Sequence, residues 1–253
     1  MPVLESHMPE AKMPGITIQR LRTPEEMKVC VDLQKAVWGF SDVDTVPHRM
    51  FVVAHRTGGQ VIGAFDRERP IGFVLGFMAN RDGEVYIHSH MAAVLPGYQN
   101  RGIGRQLKLA QRDDALAREV NLIEWTFDPL QIRNAHFNIM RLGATVREYL
   151  PNVYGQTSSP LHHGLPTDRL VAQWRIHERR VEKIISGNAP RARAEKQVLV
   201  PRNIFEMCEQ DATQAKQTQS QIRQQFQQLF RDGFVVTAFE VDSGSGKYLL
   251  EQI

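Results

Sequence analysis

Val94-Leu95-Pro96-Gly97-Tyr98-Gln99-Asn100-Arg101-Gly102-Ile103-Gly104-Arg105 joins an apolar strand to the start of an amphipathic helix. Two glycines in the first turn remove side chains where a ligand would approach the backbone. The amide groups of a helix start have no partner within the helix, and together with the helix dipole they favour a phosphate. Arg101 and Arg105 add positive charge beside them. Other phosphate-binding patterns fit less well. A dinucleotide-binding turn would place a third glycine where Leu107 stands. A P-loop needs Gly-Lys-Ser/Thr, whereas Gly246-Lys247 is followed by Tyr248 and preceded by Val241 in place of the first glycine.

Upstream of this junction, Ile16 to Leu21 alternates as a strand. Thr23-Pro24-Glu25-Glu26 then carries a capping box with proline in the first turn, which predicts a helix reaching Trp38-Gly39. A short second helix is expected over 50–54, and Gly58-Gly59 reads as a turn. Three strand candidates follow, 61–66, 71–79 and 84–95, joined by turn sequences short enough to make them antiparallel neighbours. Downstream, Ile103, Leu107, Ala110 and Leu116 mark a helix over about 102–119. A strand over 122–127 ends at Asp128-Pro129, a helix over 134–142 closes at Gly143, and strands at 145–150 and 169–176 complete one mixed α/β domain spanning 16–176.

Residues 1–15 hold three prolines, three methionines and no periodicity, so they read as a flexible arm. From 177 to 196 six Lys and Arg outnumber three Glu. No aromatic residue interleaves these charges to stack a base, so the stretch reads as a solvated linker with some helix rather than a nucleic-acid arm. Residues 197–253 form an extension: a Gln-rich amphipathic helix to about 231, with Ile222, Phe226, Leu229 and Phe230 on one face, and a hairpin of 234–241 with 247–253. A hairpin is marginal alone and an edge with few charges needs covering, so it is expected to pack on the first domain or to pair with a second copy in a homodimer.

The 253 residues carry 31 Lys+Arg against 28 Asp+Glu, a net charge of +3 that makes no case for nucleic acid. No apolar run approaches the roughly 18 residues of a membrane helix. The opening MPVLESHMPEAKMPG lacks the basic-then-apolar order of a secretory signal. Two cysteines, Cys30 and Cys208, are each isolated, offer no metal spacing and fit a reducing cytoplasm.

Gln99-Asn100-Arg101-Gly102-Ile103-Gly104 resembles the Gln/Arg-x-x-Gly-x-Gly/Ala signature of the GNAT superfamily of acyl-CoA-dependent N-acetyltransferases. The resemblance extends to the strand ending Ala92-Ala93-Val94, to the strand 122–127, to the helix ending Leu142-Gly143-Ala144, and to the element order over 16–176. It implies acetyl-CoA, or another acyl-CoA, as cosubstrate, an amine as acceptor, and direct attack in a ternary complex. The pyrophosphate would lie on the backbone from Arg101 to Arg105, with Gln99 and Asn100 leading into it, and the pantetheine arm would pair with the backbone of Ala92, Ala93 and Val94. Asn134 is either a polar contact to that arm or the N-cap of its own helix.

Members of the family that use a side-chain base often carry a Glu at the position of His88. His90 lies two residues on, so both imidazoles are expected on one side of the strand. They read as a base or substrate contact, as buried hydrogen-bonded histidines, or as two metal ligands lacking a third. The family's usual tyrosine, which protonates the departing sulfur, is replaced by Ile139. Tyr149 and Tyr154 are later tyrosines that read either as reaching the site or, more simply, as packing or rim residues, and His136 and Asn138 are polar alternatives close by, the latter with a solvent-facing reading in its helix. The acceptor cleft is expected to draw on Trp38, Phe40, Asp42 and Asp44, and on Tyr149, Asn152, Tyr154, His162 and His163. A rival reading is a non-enzymatic acyl-CoA-binding protein on the same fold.

Overall fold

A computed structural model describes residues 15–155, 163–191 and 193–253. Of the N-terminal arm only Gly15 falls among them, and His162 lies outside them. The chain begins with β1 (Ile16–Arg20), α1 (Pro24–Trp38) and α2 (His48–Arg56). The Thr23 hydroxyl accepts from the Glu26 amide at 3.2 Å while the Glu26 carboxylate accepts from the Thr23 amide at 3.0 Å, so the capping box closes as expected. Next come β2 (Gln60–Asp66), β3 (Arg69–Arg81) and β4 (Glu84–Val94), an antiparallel meander. A single turn at Pro96–Tyr98 leads to α3 (Ile103–Leu116) and β5 (Leu122–Phe127). Helix α4 (Ile132–His136) continues as a π-helical turn over Phe137–Arg141, and β6 (Thr145–Leu150) and β7 (Arg169–Arg175) follow.

Among the described residues the strands form one sheet in the order β1-β2-β3-β4-β5-β7-β6, continued by the C-terminal strands. Strand alternation sends its two faces to different helices. Val61, Phe73 and Leu75 pack with Met27, Cys30, Leu33 and Phe51 of α1 and α2. Ile62, Ala64, Ile71 and Val74 pack with Ile103 and Leu107 of α3. The sheet therefore separates α1 and α2 from α3, and the loop before α3 opens at the end of β4.

The stretch expected to be a solvated linker contains α5 (Arg179–Ile185), with Val181 and Ile184 buried in the core. The Arg180 guanidinium donates to the carbonyls of Gly143 and Thr237, so this cation joins elements rather than forming a free basic arm. Gly143 ends the π-helical turn at φ +86, and a Cβ there would meet Val181 Cα and Ile184 Cδ1 at 3.3 Å each. Gly143→Ala should therefore destabilise the protein by about 2 kcal/mol, from left-handed backbone strain plus crowding of α5. Urea denaturation checks this, and an unchanged midpoint would refute it.

The extension adds β8 (Lys196–Pro201), α6 (Ile204–Gln210), α7 (Ala212–Arg231), β9 (Phe234–Val241) and β10 (Ser245–Gln252). The single Gln-rich helix of the sequence reading is two helices, because Asp211 leaves helical geometry and its carboxylate caps the amides of Thr213 and Gln214. The hairpin joins the first sheet: β9 meets β6 at Val146↔Val236, and β10 is flanked by β9 and β8. Arg223 of α7 pairs with the fully buried Asp168, whose Oδ2 also accepts from the Tyr149 hydroxyl at 2.6 Å.

Candidate active site

β4 and β5 run parallel, but they pair only at Ile87↔Ile123 and His88↔Glu124. Beyond that point a cleft of about 760 Å³ opens between Ser89–Val94 on one wall and Trp125–Asp128 on the other. A bulge in β4 starts the divergence. Leu75 pairs with Met91 and Gly76 with Ser89, leaving His90 as the extra residue. The bulge also exchanges the two faces. Before it Ser89 meets α3, and after it Met91 and Ala93 pack on the α1 side while Val94 packs on the α3 side. Ala92, Ala93 and Val94 pair with β3 along one edge and line the cleft with the other.

The loop from Gln99 to Gly104 closes the open end. Asn100 and Gly102 adopt positive φ of 59 and 76, bracketing Arg101, and Ile103 starts the helix. Successive amides in such a turn point inward as a concave anion seat. Gly104 lines the cleft, and a Cβ on it would meet only Val94 Cγ2, at 3.9 Å. The Gln99 amide nitrogen donates to the Val94 carbonyl at 2.9 Å, tying the loop to the strand. Arg101 lies 5.6 Å over the Tyr98 ring, whose hydroxyl donates to Asp66. The Arg105 guanidinium donates through Nη2 to the Ile185 carbonyl at 2.6 Å, which ties the start of α3 to the end of α5.

At the closed end, His88 and His90 have ring centroids 6.2 Å apart, and His90 rather than His88 lines the cleft. Desolvation lowers both imidazole pKa values and favours the neutral, proton-accepting form at pH 7. Asp128 also lines the cleft. Burial raises its carboxyl above the ordinary range, against a lowering contribution from its hydrogen bond with the Leu130 amide. Sequence reasoning took Asp128 only as a strand stop beside Pro129. Tyr154 reaches the cleft rim with its hydroxyl 3.0 Å from that of Thr126, and Arg169 lies over its ring.

Lys108 was also missed. It is 3% exposed and lines the cleft floor, with Nζ donating to Ser89 Oγ at 3.0 Å and Gln111 Oε1 at 2.6 Å. The Trp125 ring centroid is 3.9 Å from Nζ. Burial pushes its pKa well below the usual lysine range. The indole face opposes this by favouring a cation, by about 2 kcal/mol or more where water is excluded, against the several kcal/mol needed to desolvate an ammonium without a carboxylate partner. Burial thus shifts Nζ toward the neutral amine. A recognisable signal existed: Gly104, Lys108, Gln111 and Ala115 recur at helical spacing on the face turned to the sheet.

Asn134 lines the cleft and lies inside α4, where Gln131 holds the N-cap position, so the capping alternative falls away. Asn138 is buried and donates to Asn134 Oδ1 at 3.3 Å; it does not face solvent. His136 is exposed. Trp38, Phe40 and Asp44 line the cleft, Trp38 and Phe40 with ring centroids 5.4 Å apart. Asp42 instead pairs with Lys35, Tyr149 is held in the core by Asp168, and His163 packs on Phe205. Asn152 accepts from the Thr167 amide. Ile139 is fully buried. Neither cysteine lines the cleft, and burial pushes the Cys30 thiol up to about 12. Among the described residues no group of three His, Cys, Asp or Glu could hold a metal ion, and no helix is long and apolar enough to cross a membrane.

Residues 25–138 match the model of the acetyltransferase (GNAT) family. No curated protein sequence matches the chain. Among solved structures, the ribosomal-protein-S18-alanine N-acetyltransferase of Escherichia coli aligns with a TM-score of 0.51 at 16% identity, over 64% of this chain and 95% of that one. The ribosomal-protein-alanine N-acetyltransferase of Brucella melitensis gives 0.50 at 17%, over 62% and 98%. Arabidopsis thaliana NAA60, solved with a bisubstrate analogue, gives 0.50 at 12%, over 63% and 97%. At these identities the likeness is one of fold.

Proposed function

For a chain whose residues 25–138 form a GNAT acetyltransferase domain, we propose transfer of an acetyl group from acetyl-CoA to a primary amine, on a small molecule or a peptide, by direct attack in a ternary complex. The observation that carries this reading is the fork between β4 and β5, with a free strand edge along one wall and a helix-start anion seat at its open end.

In this reading the pyrophosphate rests on the amides from Arg101 to Arg105, with Gln99 and Asn100 shaping the turn. The pantetheine arm runs back along Ala92–Val94 and adds as a strand would, with Asn134 opposite. The thioester then arrives at the vertex, beside Ser89 and His90. The acceptor enters from the side of Trp38, Phe40 and Asp44, where aromatic and acidic groups suit a cationic amine. His90, neutral and open to the cleft, takes the amine proton directly or through water; His88 lies behind it and supports its position. Tyr154 is the hydroxyl available to protonate the departing sulfur, since Ile139 offers none. Both cysteines are free thiols, which suits a reducing cytoplasm.

The test is release of CoA thiol from acetyl-CoA across a panel of primary amines. Wild type is expected to turn over at least one amine class. His90→Ala should lower the rate at saturating acetyl-CoA by about tenfold, at or below the ~10²-fold of an unassisted general base, because Asp128 and water remain to accept the proton. Binding of acetyl-CoA with no thiol release from any amine would favour the acyl-CoA-binding reading instead.

A further inference from the structure

The chemistry proposed for the cleft needs a primary amine next to an acetyl thioester, and the chain holds a buried one, Lys108, in the cleft itself. Lys108 Nζ donates to Ser89 Oγ, and Ser89 is the residue at which β4 and β5 part. A thioester delivered along Ala92–Val94 from the Gly102 end would travel down β4 to this point. From Val94 to Ser89 is five residues, about 17 Å of strand.

Nζ has a hydroxyl, an amide oxygen and two indole rings as neighbours, Trp125 at 3.9 Å and Trp174 at 5.7 Å. Among the described residues it has no carboxylate as a hydrogen-bond or ion-pair partner. A neutral amine has two hydrogens and one lone pair. In the neutral form both hydrogens are taken up by Ser89 and Gln111, which orients the nitrogen. A lysine with no role beyond packing would be expected to snorkel to solvent, yet this one ends in the cleft at 3% exposure.

We propose that Lys108 is an acyl acceptor, acetylated by the protein's own bound acetyl-CoA. This rests on the reading of the cleft given above. The Nζ lone pair attacks the thioester carbon, a C–N bond forms, the C–S bond breaks, and one amine proton passes to the sulfur. The products are Nε-acetyllysine and free CoA thiol, with no other reactant consumed. An amide does not hand its acetyl group on as a thioester would, so the product is a lasting modification and not an intermediate. The acetyl group occupies the vertex where the next thioester would sit, and one of the two N–H donors that held Nζ in place is lost. Self-acetylation therefore closes the cleft from within when acetyl-CoA is bound and no acceptor amine is present.

The experiment incubates the full-length protein with acetyl-CoA bearing an isotopically labelled acetyl group, at neutral pH and without acceptor, and maps the label by mass spectrometry of peptides. Calorimetric titration of acetyl-CoA runs in parallel. Label at Lys108 should exceed that at exposed Lys28, Lys183 and Lys216 by about tenfold or more, because of these only Lys108 lines the cleft in which the bound thioester is held. It should saturate with acetyl-CoA, and a competing acceptor amine should suppress it. Lys108→Met keeps an apolar chain on the floor and should abolish label at that position while exposed lysines label as before. Should that variant fail to fold, Gly102→Asp with Gly104→Asp provides the second control: selective labelling of Lys108 should vanish with acetyl-CoA binding. Acetyl-CoA that binds but labels Lys108 no faster than the exposed lysines overturns the inference alone. Acetyl-CoA that does not bind at all overturns the cleft reading and the inference with it.

Discussion

Replacing Gly102 and Gly104 together by aspartate should weaken acetyl-CoA binding more than a hundredfold while leaving the fold intact. The proposed seat before α3 consists of the backbone amides from Arg101 to Arg105, at which a side chain in place of Gly102 or Gly104 would stand beside the bound anion. Gly102 sits at φ +76, a conformation aspartate tolerates better than most residues, and Gly104 has open space toward the cleft. Gly104→Asp therefore drives no atoms into the core, and the left-handed strain at Gly102 is about 1–2 kcal/mol. Each substitution places a carboxylate against the pyrophosphate. At about 5 Å and an effective dielectric near 20, one such pair repels by about 3 kcal/mol, which alone is over a hundredfold in affinity. The paired alanine variant separates shape from charge: it should lose far less, since its methyl groups add bulk without repulsion. Calorimetric titration reads the affinity and circular dichroism checks the fold. Unchanged binding by a folded aspartate variant would place the cofactor elsewhere and remove the basis for the proposed activity.

The elements that sequence located well are those whose signals are local. The strands at 122–127 and 145–150 end where apolar runs meet turn residues, and α1 begins where Thr23 and Glu26 cap it. The helix start at Ile103 was legible for the same reason, because two glycines mark the strand-to-helix junction. The catalytic vertex was harder to read. The bulge at His90 depends on the register of β3 against β4, which no single strand's pattern displays, and it decides that His90 and Ser89 line the cleft while His88 stands behind. Lys108 and Asp128 were passed over because a lysine in a helix and an Asp-Pro pair after a strand have ordinary local explanations. Only the packing of Trp125 over one and the burial of the other make them notable. The extension was less legible for a third reason. The strand at 196–201 is short and ends in Pro201, which is tolerated because that strand is the sheet's last.

Asp168→Ala is expected to be the most destabilising single substitution at the join between the extension and the first domain, at about 3–5 kcal/mol. The carboxylate is fully buried and accepts four hydrogen bonds: from the Tyr149 hydroxyl, the Asn152 amide, and Arg223 through both Nε and Nη2. Its removal strands each of those donors at once, including a guanidinium only partly open to water. The cost would be a large share of the 5–15 kcal/mol that holds a typical domain together. Arg223→Met should cost less, because Asp168 keeps its Tyr149 and Asn152 donors and the methionine retains packing on α7. The effect should also reach the cleft. Thr167, next in the chain, accepts from the Tyr154 amide, and Arg169 lies over the Tyr154 ring, so loosening 167–169 releases the hydroxyl proposed to meet the leaving sulfur. Urea denaturation of the two variants tests the ranking, and acetyl-CoA titration of each separates the two ends of the cleft: binding at the Gly102 seat should survive in Arg223→Met even where turnover falls. A midpoint for Asp168→Ala within about 1 kcal/mol of wild type would show that the buried cluster is not what fastens α7 to the sheet, since removing one partner of a buried pair ordinarily costs several times that.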